Sequence, residues 1–133
     1  MRYRFFIMGR LPGLNEYIEA CRSHAQVGAR MKREAEQMVI DSITAAWARK
    51  FLPAHFREPV KLRYKFIERD KRRDQDNVSS FARKVIQDAL VRTELLTDDG
   101  WGHIVESRES FDVDKESPRI IVEVVEDEDW EPV

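Results

Sequence analysis

Residues 60–68, VKLRYKFIE, alternate almost without interruption. Val60, Leu62, Tyr64 and Phe66 fall on one side and Lys61, Arg63 and Lys65 on the other, the period of a strand with one buried face and one wet, cationic face. Such a strand must lay its apolar side on a second layer, and the chain supplies helices for it. From about Gly28 to Lys50, Met31, Ala35, Met38, Val39, Ser42, Ile43, Ala46 and Trp47 follow the stripe of one buried helix face. From about Asn77 to Arg92, Val78, Phe81, Ala82, Val85, Ile86, Ala89 and Leu90 do the same, while Ser80, Lys84 and Asp88 recur every four residues on the other side. A shorter helical piece, EYIEACRSH, follows the Gly and Pro punctuation of GRLPGLN, with Asn15 as the expected cap.

The remaining segments complete a sheet. RYRFFIM (2–8) and RIIVEVVE read as strands, HIVESRESF as a weaker one, and Asp98-Asp99-Gly100 as a turn. The predicted order is β-α-α-β-α-β-β, an α+β fold with helices packed on a small mixed sheet. It forms a single domain over residues 1–133, with an acidic tail from about 126 to 133 whose DEDWEPV is expected to fray. Trp47 and Trp101 sit at patterned positions and are expected in the core.

At 133 residues and 42% hydrophobic content the chain can bury one core. It has no run of eighteen apolar residues to span a membrane, and its apolar start is too short and too broken by arginine for a secretory signal. One cysteine, Cys21, excludes an internal disulfide and a thiolate zinc site, which makes a reducing, cytoplasmic setting the expectation. The net charge of −2 argues against a nucleic-acid partner, but the charge is segregated. Residues 57–73 hold eight Lys or Arg against three Asp or Glu, and residues 123–131 hold six carboxylates and no base. Phosphate responds to the local field within about 8–10 Å, so the segregation outweighs the sum.

The basic run leads into KRRDQDNVSSFARKVIQDAL (71–90). Asp74 and Asp76, two apart in an extended segment, would point the same way, and Asp98 or Asp99 would close the site if the 93–99 turn folds back along the helix. Two or three carboxylates suffice for magnesium, whose remaining positions go to water and substrate phosphate. Each cluster also has a plain structural role open to it. Asp76 is placed as an N-cap, Asp98-Asp99-Gly100 as a turn, and Lys84 with Asp88 as a surface ion pair. His103 stands close enough to the turn to reach a metal or a water, or to be structural.

Taken together, RRDQDNV, Lys84, QDAL and LLTDDG resemble the RusA family of Holliday junction resolvases. That family's pattern is an Asp-x-Asp-Asn box, a lysine-bearing helix ending Asp-Ala-Leu, then Asp-Asp. The opening GRLPGLNEYI and the closing FDVDKESPRIIVEVVE resemble the family's start and its last hairpin, particularly in versions from Gram-positive bacteria and their phages. The resemblance implies a homodimeric, Mg²⁺-dependent endonuclease, with Mn²⁺ as a substitute, acting on four-way DNA junctions by paired nicks. It implies neither membrane nor organic cofactor. Carried over, Asp74 and Asp76 match the metal pair, Asp99 the third carboxylate with Asp98 in reserve, and Lys71, Arg72 and Arg73 the basic approach. Lys61, Arg63 and Lys65 are expected to hold neighbouring phosphates. Four residues after the second Asp, where the family's lysine can sit, this chain has Ser80; counting back from Asp-Ala-Leu assigns the role to Lys84. A binder that keeps the fold without the chemistry, and a nuclease of broader branched-DNA preference, are the rival readings.

Overall fold

The alternating segment becomes one of the two inner strands of a four-stranded sheet in the computed structural model, which describes residues 1–126. The elements are β1 (Arg2–Met8), α1 (Leu14–Ser23), α2 (Ala25–Ala48), β2 (Val60–Glu68), α3 (Gln75–Arg92), β3 (Ile104–Val113) and β4 (Arg119–Glu126), in the expected α+β order. The fraying expected of DEDWEPV concerns residues outside the described ones. Glu126, placed in the tail by the sequence, is instead the buried last residue of β4, where its carboxylate accepts from the Arg57 amide at 2.6 Å.

The sheet runs β1-β4-β2-β3 and is mixed. β4 pairs antiparallel with both β1 and β2, while β2 pairs parallel with β3. A parallel pair needs a long crossover, and α3 provides it. β3 and β4 are therefore not a hairpin, contrary to the expectation for the closing segment: β2 lies between them, its backbone bonding β4 along one edge and β3 along the other.

One face of the sheet is covered. Phe5, Leu62, Tyr64, Phe66, Val122 and Val124 pack against Val39 and Ile43 of α2 and Phe81, Val85, Ile86 and Leu90 of α3. Tyr64 is buried in this layer, its hydroxyl accepts from Gln87 Nε2 at 3.1 Å, and burial pushes its phenol up to about 12. The other face carries Lys61, Arg63 and Lys65.

Local chemistry adjusts the predicted helix ends. α1 is capped by Gly13, and Asn15 lies inside its first turn. A Cβ on Gly13 would come within 2.8 Å of Asn77 Oδ1, the same oxygen that accepts from the Asn15 amide at 2.8 Å. The last Asn of the DQDN box thus ties the start of α1 to the start of α3. α2 begins at Ala25, with His24 Nδ1 accepting from Gln26 N at 3.1 Å, and it ends at Ala48. Gly28 lets it cross close over α1, because a side chain there would run into Cys21 Sγ. Lys32 bonds Asp88 at 3.4 Å and Arg92 bonds Glu36 at 2.6 Å, so α2 and α3 run in the same sense.

Trp47 packs partly buried and donates to the Pro53 carbonyl at 2.7 Å. Trp101 is not core: it is 96% exposed at the tip of the turn before β3, where no layer covers it. Met38, expected on the buried face of α2, is also exposed. No helix of the described residues is long and apolar enough to cross a membrane.

Candidate metal centre and its surroundings

α3 starts two residues earlier than expected, at Gln75, because Asp74 rather than Asp76 is its N-cap. Asp74 Oδ1 accepts from Asn77 N at 2.8 Å, which satisfies one of the amides that every helix start leaves open. Asp76 consequently lies in the first helical turn. The two carboxylates are not i, i+2 neighbours of an extended segment, so the alternation argument for their shared direction does not hold.

From Asp76 onward a polar stripe descends the outer side of α3 at intervals of four residues. Asp76 Oδ1 accepts from Ser80 Oγ at 2.7 Å, and Lys84 Nζ bonds Asp88 Oδ1 at 3.1 Å. The turn after α3 does fold back. It brings Asp99 Oδ2 to 3.0 Å from Lys84 Nζ, across fifteen residues of sequence. The Asp99 carboxylate, bonded first by Lys84, is held below the usual carboxylate range, and the ammonium is raised by Asp99 and then Asp88. Asp98 lies beside it, accepting the Asp99 amide at 2.7 Å.

The turn thus reaches Lys84 and stops there. Lys84 stands two helical turns, roughly 12 Å along the axis, from Asp76. Among the described residues no three His, Cys, Asp or Glu side chains gather for one ion. The carboxylates form two pairs, Asp74 with Asp76 at the start of the helix and Asp98 with Asp99 at its middle. Ser80, in the family's alternative lysine position, binds Asp76 instead.

Glu58, which the sequence reading passed over, holds the turn in place. Its carboxylate accepts from Thr97 Oγ1 at 2.7 Å and Thr97 N at 3.1 Å, and meets His55 Nε2 and His103 Nδ1 at 3.0 Å each. Burial raises the Glu58 carboxyl, but the Thr97 and histidine contacts outweigh it and the net direction is down. His103 is therefore engaged with Glu58 rather than aimed at Asp99. The only sequence signal was a carboxylate between two histidines' reach in a Pro-broken connection, and nothing local identifies its partners.

The predicted DNA contacts divide among three places. Arg73 is 11% exposed and turned inward, with its guanidinium on Glu68 at 2.8 Å and on the Leu11 carbonyl at 3.1 Å. Lys71 is exposed, and Arg72 is exposed beside Asp70 at 3.7 Å. Lys61, Arg63 and Lys65 project from the open sheet face, each held to a carboxylate: Glu106 at 3.3 Å, Glu123 at 3.6 Å and Asp112 at 3.9 Å. That face points away from α3, whose polar stripe points away from the sheet. The two surfaces are separated by at least a helix diameter, about 10 Å or more.

Lys84, Asp88, Asp98 and Asp99 instead line an open cleft of about 620 Å³ whose far wall is α2, through Ala29, Lys32, Arg33 and Glu36. No protein-family model matches this chain, and no curated protein matches it.

Proposed function

We propose that this chain is a Mg²⁺-dependent, structure-specific endodeoxyribonuclease that resolves four-way DNA junctions by paired, symmetric nicks, acting as a cytoplasmic homodimer with Mn²⁺ able to replace Mg²⁺. One observation carries the reading: Lys84 and Asp99 meet at 3.0 Å in an open cleft, on the helix stripe that Asp76 begins. The ordered resemblance along nearly the whole chain supports it.

The donor set suits a hard cation, being carboxylates and a hydroxyl with no thiolate. Asp74 and Asp76 each have an oxygen, Oδ2, that no internal donor occupies among the described residues. Magnesium takes one or two carboxylates and leaves its other positions to water and phosphate. Asp74 and Asp76 would hold one ion at the helix start, and Asp98 and Asp99 a separate one at the turn. Bound there, the ion supplies a water of lowered pKa and neutralises charge on the non-bridging oxygens.

The chain's own contribution is placement. Lys84 is kept an ammonium by Asp99 and Asp88, so it serves as a fixed positive charge for the scissile phosphate rather than as a base. Asp88 and Asp99 hold it from two sides, which removes the rotamer freedom of a long side chain. Lys71 and Arg72 stand exposed just before Asp74 and give backbone affinity without sequence preference.

The test is cleavage of a synthetic four-way junction with Mg²⁺ by the unmodified protein, Asp76→Asn and Lys84→Ala. Each substitution is expected to slow cutting by on the order of 10²-fold while leaving binding nearly intact. Asp76→Asn cutting at the unmodified rate overturns the carboxylate assignment. Equal rates on junction, flap and linear duplex retire the junction specificity and leave a nuclease.

A further inference from the structure

The cleft that holds Lys84 and Asp99 does not end at α2. Its Ala29 and Arg33 also line a second concavity, with His24, Gln26 and Arg30, which opens over the exposed ridge of that helix. Arg30 and Arg33 are both exposed and, among the described residues, neither makes a hydrogen bond or an ion pair. This sets them apart from the other basic side chains of the cleft. Lys32 is held by Asp88, Arg92 by Glu36, and Lys84 by Asp88 and Asp99. On the sheet face Arg2, Arg4 and Arg63 share Glu123.

Two arginines at i, i+3 lie on one helix ridge with their Cβ atoms about 5–6 Å apart. An unpaired guanidinium presents five donors in a planar fork that matches a phosphate. Past Arg30 the next concavity is of mixed charge, with Arg10 beside Glu16 and Glu34. The cationic strip meets the carboxylate cleft on the Arg33 side. A strand whose scissile phosphate lies beside Lys84 and Asp99 has its neighbouring phosphates within reach of Arg33 first and Arg30 next. The sheet-face cations lie on the other side of the molecule, beyond a Debye length of roughly 8–10 Å.

We infer that Arg30 and Arg33 on α2 form the phosphate-backbone subsite that holds the DNA strand next to the cleavage site. This assignment rests on the nuclease reading for its substrate. No feature of residues 25–48 suggested it in sequence, where the stripe of buried positions dominates.

The experiment measures binding of a synthetic four-way junction in EDTA across a salt series, and cutting in Mg²⁺ in parallel. Proteins compared are the unmodified chain, Arg30→Ala/Arg33→Ala, and Arg63→Ala/Lys65→Ala, each checked for unchanged thermal unfolding. The α2 pair is expected to lose at least tenfold in affinity near physiological salt, with the slope of log K against log salt shallower by roughly 2, about 0.9 per phosphate contact. Unchanged affinity and slope in the α2 pair overturn the subsite, as does a loss confined to the sheet-face pair or failure of the unmodified protein to bind. Binding that depends on Arg30 and Arg33 without any cutting retires the nuclease reading and leaves the subsite standing. Cutting that survives with the α2 pair's affinity unchanged does the reverse.

Discussion

The outer face of the sheet and the exposed ridge of α2 both carry basic side chains, and they hold them differently. On the sheet, Arg2, Arg4 and Arg63 converge on Glu123, and Lys61 and Arg108 on Glu106. The cross-strand register places these residues side by side, since Arg63 aligns with Glu123 and with Arg108 in adjacent strands. On α2, Arg30 and Arg33 make no ion pair with a carboxylate among the described residues. A charge bound to an internal partner contributes to folding and gives up part of its attraction for a ligand. A charge left free does the opposite. Counting basic residues along the sequence cannot separate the two.

Four substitutions would break or sharpen that contrast, in decreasing order of expected effect. Arg73 is the extreme of the held kind, turned inward onto Glu68 and Leu11. Arg73→Ala leaves a half-buried carboxylate and a carbonyl without their donor, and is expected to lower stability by about 3 kcal/mol, seen as a clearly reduced midpoint in denaturant. A loss under about 0.5 kcal/mol would place Arg73 with the free charges and return it to the DNA surface.

Glu58→Ala comes next, at about 2 kcal/mol, because it strips Thr97, His55 and His103 of a common acceptor. Hydrogen exchange at the Thr97 amide should rise with it. The clamp also has a pH window. The Glu94 carbonyl, then Glu58, raise the His55 imidazole, so its contribution is complete below about 6.5 and fades as pH climbs through the raised folded value. The depressed Glu58 carboxyl contributes above about 4.3 and loses that as pH falls through its lower folded value. A Thr97 protection factor, taken relative to intrinsic exchange at each pH, that is flat from acid to mildly alkaline pH would remove the imidazole from the clamp.

Glu123→Gln tests the sheet face from the other direction. It is expected to cost about 1 kcal/mol and to release Arg2, Arg4 and Arg63 for phosphate, so that non-specific duplex binding tightens and its salt slope steepens. Unaltered duplex binding would mean that the carboxylate was not what restrained those arginines. The smallest effect on folding belongs to Arg33→Ala, expected within about 0.5 kcal/mol of the unmodified protein by thermal unfolding. A larger loss would show a partner for Arg33 and weaken its assignment to DNA.

Much of the fold was legible because its signals are periodic and local. The alternation at 60–68 and the buried stripes of α2 and α3 each fix a face without knowledge of the rest of the chain. Helix ends were less legible, since Asp74 and Asp76 are equally good caps by type and only the backbone decides between them. Trp101 was misplaced for the same reason: an indole at a patterned position is core only if another layer arrives to cover it.

The candidate site divides along similar lines. Residue type and order alone determined that this chain carries two pairs of carboxylates, a lysine on the outer side of the helix between them, and a basic approach. They also determined that no internal disulfide forms, since Cys21 is the single cysteine. Tertiary structure decided the partnerships: Asp99 with Lys84 rather than with Asp76, Asn77 with α1, Glu58 with the turn, and α2 rather than the sheet as the far wall of the cleft. The physical reason is range. Backbone periodicity acts over a few residues and is written in the sequence, whereas a hydrogen bond or ion pair needs atoms within about 3–4 Å, and chain separations of 15, 39 or 62 residues close to that distance only through the packing of the whole.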